Sequence, residues 1–175
     1  MSEASPAPDG SSRRRPSVAL VLLVVLAVLL AVLAVLAAVE GVDRHNASLL
    51  DRARSNALAS ARQTALNLTS VDGQDIDGDL KRVQDSATGT FGQEFAQQSA
   101  RLRGVLTDNK VVSEGRVLDA ALVRGDQRTA TVIVVADSLV KNKASPNGTP
   151  RTYRMQLDLE HHGDRWLTSS LQFVG

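Results

Sequence analysis

From Val18 to Val39 the chain carries nothing but Val, Leu and Ala, an apolar run with no polar position to define a face. In a helix, at about 1.5 Å per residue, such a run reaches across a hydrocarbon core about 30 Å thick. The pattern therefore predicts a transmembrane helix over residues 18–39. Beyond it the spacing turns amphipathic. His45 to Val71 reads as one long helix, in which Leu50, Ala53, Ala57, Ala61, Ala65 and Leu68 recur at three- and four-residue steps. Arg52, Arg54, Asn56 and Arg62 lie elsewhere on the wheel. The apolar stripe is thin and rich in alanine, which suits close packing against a sheet or another helix. Glycines and acids break the pattern from Asp72 to Asp79, and a short helix is expected over Leu80 to Ala87. A third helix is predicted to start near Thr90, where Thr90 and Gln93 fit a capping box, and to end around Thr107 to Lys110. Phe91, Phe95, Leu102, Val105 and Leu106 would supply its buried side.

After Val111 the period changes from helical to extended. Val117 to Arg124 and Thr129 to Val140 read as two strands joined by a tight turn at Gly125-Asp126. Thr131 to Val135 is apolar on both parities, the pattern of a central strand covered on both faces. Lys141 to Pro150 is a polar loop. In the third strand Tyr153, Met155, Leu157 and Leu159 share one face and Arg154, Gln156, Asp158 and Glu160 the other. His161 to Asp164 is expected to turn the chain into a last strand, Trp166 to Val174, with Leu167, Leu171 and Phe173 on a common parity. Three helices followed by four antiparallel strands predict an α+β domain, helices packed on one face of a curved sheet.

The flanks of the apolar run orient it. Arg13, Arg14 and Arg15 precede it, whereas Glu40, Asp43 and Arg44 follow, and an excess of Lys and Arg stays cytoplasmic. Residues 1–17, rich in Ser, Pro and Ala, are expected to be a disordered cytoplasmic tail, and residues 40–175 an extracytoplasmic domain. Val35-Leu36-Ala37 would pass as a signal-peptide cleavage site, but the apolar stretch far exceeds the usual 7 to 15 residues, which favours an uncleaved anchor. The expected location is thus the cytoplasmic membrane, crossed once with the N-terminus inside. Four alanines, Ala27, Ala31, Ala34 and Ala38, would permit close packing with a partner helix.

Composition narrows the function classes. A net charge of +1 and 3% aromatics leave neither the field nor the stacking platforms for nucleic acid. With no cysteine there is no disulfide, thiol nucleophile or thiolate metal site. The acids Asp72, Asp75, Asp77 and Asp79 resemble a calcium loop, but neither register starting at Asp72 or Asp75 places Gly at position six and Glu at position twelve. A solvated loop with capping acids is the better reading. His161 and His162 would point to opposite faces of a strand, which disfavours a shared metal. No G-x-S-x-G elbow is present. Asp119 and Asp137, within strands, are the two acids that could project into a cavity. Their alternative is a solvent-facing position or a pairing with Arg124 or Arg128. No catalytic, cofactor-binding or metal residue is assigned.

Several segments together resemble one family: the alanine-rich helix ending Leu66-Asn67-Leu68-Thr69, Asp75-Ile76-Asp77, Ala87-Thr88-Gly89-Thr90-Phe91, Tyr153-Arg154-Met155, and Gly163 followed by Trp166-Leu167. In order and spacing they are similar to the Mce-associated membrane proteins of actinobacteria, partners of the mammalian-cell-entry lipid transport systems. The resemblance covers nearly the whole chain from the anchor onward. It implies a nuclear-transport-factor-2-like cone, like the periplasmic domain of the type IV secretion assembly factor with its one-helix anchor. It implies a non-enzymatic, membrane-anchored accessory or scaffold protein of an Mce-type transport system for sterols or fatty acids in the cell envelope. The expected partners are Mce transporter subunits or related envelope proteins. A lipid or small-molecule binding module using the cone cavity is the alternative, with an isomerase-type enzyme behind it. Self-association is left open by the sequence.

Overall fold

In the computed structural model, residues 47–174 are described, and the predicted tail 1–17 and transmembrane span 18–39 lie outside them. No helix among the described residues is long and apolar enough to cross a membrane. The first helix, α1, runs over residues 47–69. It is followed by α2 (Ile76–Asp85), α3 (Gly89–Asp108), and the strands β1 (Val112–Gly125), β2 (Thr129–Lys141), β3 (Thr149–His162) and β4 (Arg165–Phe173). The strands form one antiparallel sheet in the order β1-β2-β3-β4, so each pairs with its sequence neighbour. This is the α+β arrangement of three helices and a four-stranded sheet that the sequence predicts.

Alanine explains how α1 meets the sheet. Ala57, Ala61 and Ala65, one turn apart, are each 0% exposed and belong to one apolar cluster with Val132, Val134, Ala136, Met155, Leu157 and Leu159. A methyl is the largest group that lets helix and sheet backbones approach this closely while filling the space between them. The sheet's inner face is set by register: Val132 stands opposite Leu157 and Val134 opposite Met155, and Leu157 in turn stands opposite Leu171.

The C-terminal end of α1 is pinned by hydroxyls. Ser113 and Ser138 both donate to the Thr69 carbonyl, at 2.8 and 2.9 Å, and the Gly115 amide donates to Ser70 Oγ at 3.2 Å. Gly115 is glycine because a Cβ there would stand 2.2 Å from Thr69 Oγ1. Gly115→Ala is accordingly expected to push the helix end off β1 and lower stability by about 2 kcal/mol. Urea unfolding followed by the fluorescence of Trp166, the chain's one tryptophan, measures this. An unchanged midpoint would mean that the docking is not rigid.

Three sequence expectations change. First, β2 is covered on one face only: Ala130, Val132, Val134, Ala136 and Ser138 are buried against the helices, while Ile133 on the outer face is 38% exposed. Second, the register of β4 shifts by one residue between Asp158 and Leu159, so that Ser169 bulges out. Trp166 and Thr168, rather than Leu167, then share the inner face with Leu171 and Phe173. Third, the short helix starts at Ile76 instead of Leu80. Asp75 caps it by accepting from the Gly78 amide at 3.1 Å. The third helix starts at Gly89, with Thr88 at the cap and no side-chain capping bond, so the capping box expected at Thr90 is not used.

Two register shifts in β1, at Leu118 and Val123, bend that edge strand. Such bulges curve a sheet and interrupt the hydrogen-bonding template an edge would offer to another chain. At the β1–β2 turn Asp126 accepts from the amides of Arg128 (2.7 Å) and Thr129 (2.8 Å). These donors, Arg128 first, hold the Asp126 carboxyl below the usual carboxylate range.

Candidate functional site

The acids between α1 and α2 are held by their own surroundings. Asp72 accepts from the Gln74 amide at 2.9 Å, closing an Asx turn, and Asp75 caps α2. Asp79, the buried one, accepts from the Asp72 amide at 2.6 Å and pairs with Arg82. Asp77 pairs with Arg103 of α3 at 2.5 Å. Each carboxylate is thus directed at a backbone N–H or a guanidinium, and the loop is a joint between helices. Among the described residues no cluster of His, Cys, Asp or Glu has the geometry to hold a metal ion.

His161 and His162 end β3 instead of forming the turn, which falls on Gly163-Asp164. They diverge as adjacent strand residues do. His161 stacks on Trp166 with ring centroids 5.0 Å apart, and His162 Nε2 lies 3.1 Å from Glu160.

Asp119 and Asp137 are on the outer face of the sheet, outside the cone. Asp119 is opposite Val135 in register and accepts from the Ala120 amide at 2.8 Å. Asp137 accepts from Thr152 Oγ1 at 2.8 Å across the β2–β3 pair. Neither pairs with Arg124 or Arg128. Arg124 Nε instead donates to Thr131 Oγ1 at 3.0 Å, and that hydroxyl donates to Asp158 at 2.7 Å, a cross-strand relay that accounts for a buried threonine on an otherwise open face. The buried cluster on the inner side of the sheet is apolar, with the hydroxyls of Thr64, Ser138 and Thr168 buried beside it, and the exposed His161 stacks on its edge at Trp166.

The feature most open to a partner lies where α3 leans on β4. Phe91, Phe95, Leu102 and Val105 of α3 and Leu171 and Phe173 of β4 line a groove of about 410 Å³. The sequence placed the α3 residues on a buried side, yet of the five only Leu106 is buried. Phe91 and Phe95 are half-buried, with ring centroids 6.0 Å apart, and Leu102, Val105 and Phe173 are 37%, 49% and 66% exposed. Phe173 also meets Tyr153 at 6.1 Å. All three phenylalanines of the chain converge on this groove while the core is built from Ala, Val, Leu, Met and Trp. The sequence carries no sign of this convergence, since only the packing of α3 on β4 brings Phe173 to Phe91 and Phe95.

The family described as Uncharacterized protein Rv1363c/MT1408-like matches residues 17–175. The chain belongs to that family. A relative, "Uncharacterized protein Rv1363c" from Mycobacterium tuberculosis, is 33% identical over 130 residues, which make up 74% of this chain and 50% of that protein. The chain thus spans about half the length of this Rv1363c relative. In fold, this Rv1363c-like chain is similar to an IcmL-like type IV secretion system protein from Legionella pneumophila, with TM-score 0.56 and 14% identity over 69% of this chain and 91% of that one. It is also similar to a periplasmic fragment of TraM, with TM-score 0.55 and 11% identity over 68% and 95% of the two chains. At these identities the likeness is one of fold alone.

Proposed function

We propose that this Rv1363c-like protein is a non-enzymatic accessory or scaffold protein of the cell envelope. In this reading the helix over residues 18–39 anchors it in the cytoplasmic membrane and its α+β domain works on the extracytoplasmic side. The finer reading, drawn from the sequence resemblance, is an accessory role in an Mce-type lipid transport system. The observation that carries the scaffold reading is the seat of α1 on the sheet: Ala57, Ala61 and Ala65 are buried in one cluster with the inner-face side chains, and the two candidate acids face outward. What such a domain has to offer is its outer surface. An anchor confines that surface to two dimensions beside its partner, so modest contacts act at a high effective concentration.

The test is crosslinking of the full-length protein in membranes of its native host, followed by purification and identification of what accompanies it. Transporter subunits are expected, and they should be lost when residues 18–39 are exchanged for an unrelated anchor or the outer domain is removed. If no protein partner appears and a lipid co-purifies with the outer domain, the binding-module reading takes the place of this one.

A further inference from the structure

The helix α3 is 20 residues long, yet only Gly92 and Leu106 are buried. Helices in folded domains draw most of their stability from an apolar face packed against something else. Here that face, Phe91, Phe95, Leu102 and Val105, is left half open along the groove with Phe173 exposed beside it. Glu94 and Arg101 stand on the same rim, seven residues apart and so on nearly the same side of the helix, about 10.5 Å from each other along its axis. Neither has an ion-pair partner among the described residues.

We propose that the groove is filled by α3 of a second copy of this chain, antiparallel to the first about a twofold axis at Gln98. The positions along α3 are self-complementary about that point. Reversing the helix there sets Phe91 opposite Val105 of the second copy and brings Glu94 beside its Arg101, and Phe95 beside its Leu102, each within one residue, about 1.5 Å along the axis, of direct opposition. A twofold interface must be isologous, each patch meeting its own copy, and this charge and apolar pattern satisfies that condition. A membrane surface, the other apolar occupant to consider, would favour a rim of uniformly positive charge, whereas this rim carries one acid and one base.

The absence of cysteine from the chain makes the test direct. Gln98→Cys in the full-length protein would place a single thiol on the axis. Gln127→Cys, in the exposed β1–β2 turn, is the control. Under mild oxidation in membranes, Gln98→Cys is expected to give a disulfide-linked dimer on a non-reducing gel and Gln127→Cys much less. In the Gln98→Cys background, Glu94→Arg or Arg101→Glu alone turns both cross-pairs into repulsions and should weaken dimer formation about tenfold. The double reversal Glu94→Arg, Arg101→Glu restores the pairing and should restore the dimer. All four positions are exposed, so circular dichroism and Trp166 fluorescence should be unchanged in every variant.

The proposal is overturned if Gln98→Cys crosslinks no better than the control. It is equally overturned if the dimer is indifferent to the charge reversals, as self-association through residues 18–39 alone would be, or if the thiol introduced by Gln98→Cys bonds to a different protein. None of these outcomes touches the accessory reading, whose readout is co-purified transporter subunits.

Discussion

Leu157→Ala is expected to lower the unfolding free energy by about 3 to 4 kcal/mol. Leu157 is 0% exposed and stands in register between Val132 of β2 and Leu171 of β4, at the centre of the inner face. Its neighbours across the helix–sheet interface are alanines, whose short side chains cannot swing in to close a gap. The loss should therefore combine the transfer term of the removed atoms with nearly the whole cavity term. Set against the 5 to 15 kcal/mol typical of small domains, this is a large fraction of the total. Urea titration followed by Trp166 fluorescence measures it. A loss below about 1 kcal/mol would mean that the inner face already holds empty space, and the reading of a ligand-binding cone would then gain on that of a scaffold.

The parts of the fold that were legible are those in which a single face decides the pattern. The strict alternation of Tyr153, Met155, Leu157 and Leu159 specified β3, because one side of that strand meets α1 and the other meets solvent. The alanine stripe of α1 specified a close contact for the same reason. Legibility failed where backbone irregularity changed the period. The bulge at Ser169 moves Trp166 and Thr168 to the inner face, and a count of parity through β4 carries no sign of it. It failed again at β2, where Ile133 and Val135 satisfy strand propensity on an open face and so resemble a doubly covered strand.

The candidate sites show the same division. The acidic loop was legible as capping chemistry because the spacing of a calcium loop is fixed by coordination geometry and can be checked position by position. The destination of each acid was not, since the pairing of Asp77 with Arg103 joins residues that only the packing of α2 on α3 brings together. Asp119 and Asp137 were recognisable as strand acids. The face that Asp119 occupies depended on the register shift between Val117 and Asp119, a tertiary property. The groove on α3 was half visible: the apolar period identified the right side chains, and only the structure showed that nothing within the described chain covers them.

Ala61→Leu is expected to cost about 3 kcal/mol, although leucine and alanine have nearly equal helix propensities. The side chain at position 61 is 0% exposed, between Ala57 and Ala65 on the stripe that touches Val132, Val134, Met155 and Leu157. Three added carbons have no void to enter, so either α1 lifts from the sheet or the inner-face side chains leave their preferred rotamers. Lifting α1 would also strain the hydroxyl bonds from Ser113 and Ser138 to Thr69, eight residues further along the same helix. Ala59→Leu, on the exposed side of α1, supplies the comparison and should stay within about 0.5 kcal/mol of the parent. The contrast isolates packing from propensity, because both substitutions place the same residue in the same helix. If Ala61→Leu were neutral or stabilising, α1 would not be seated on the sheet as described, and an apolar cavity would lie beneath it. The close seat of α1 that carries the scaffold reading would then be gone, and a search for a bound apolar molecule would become the next experiment.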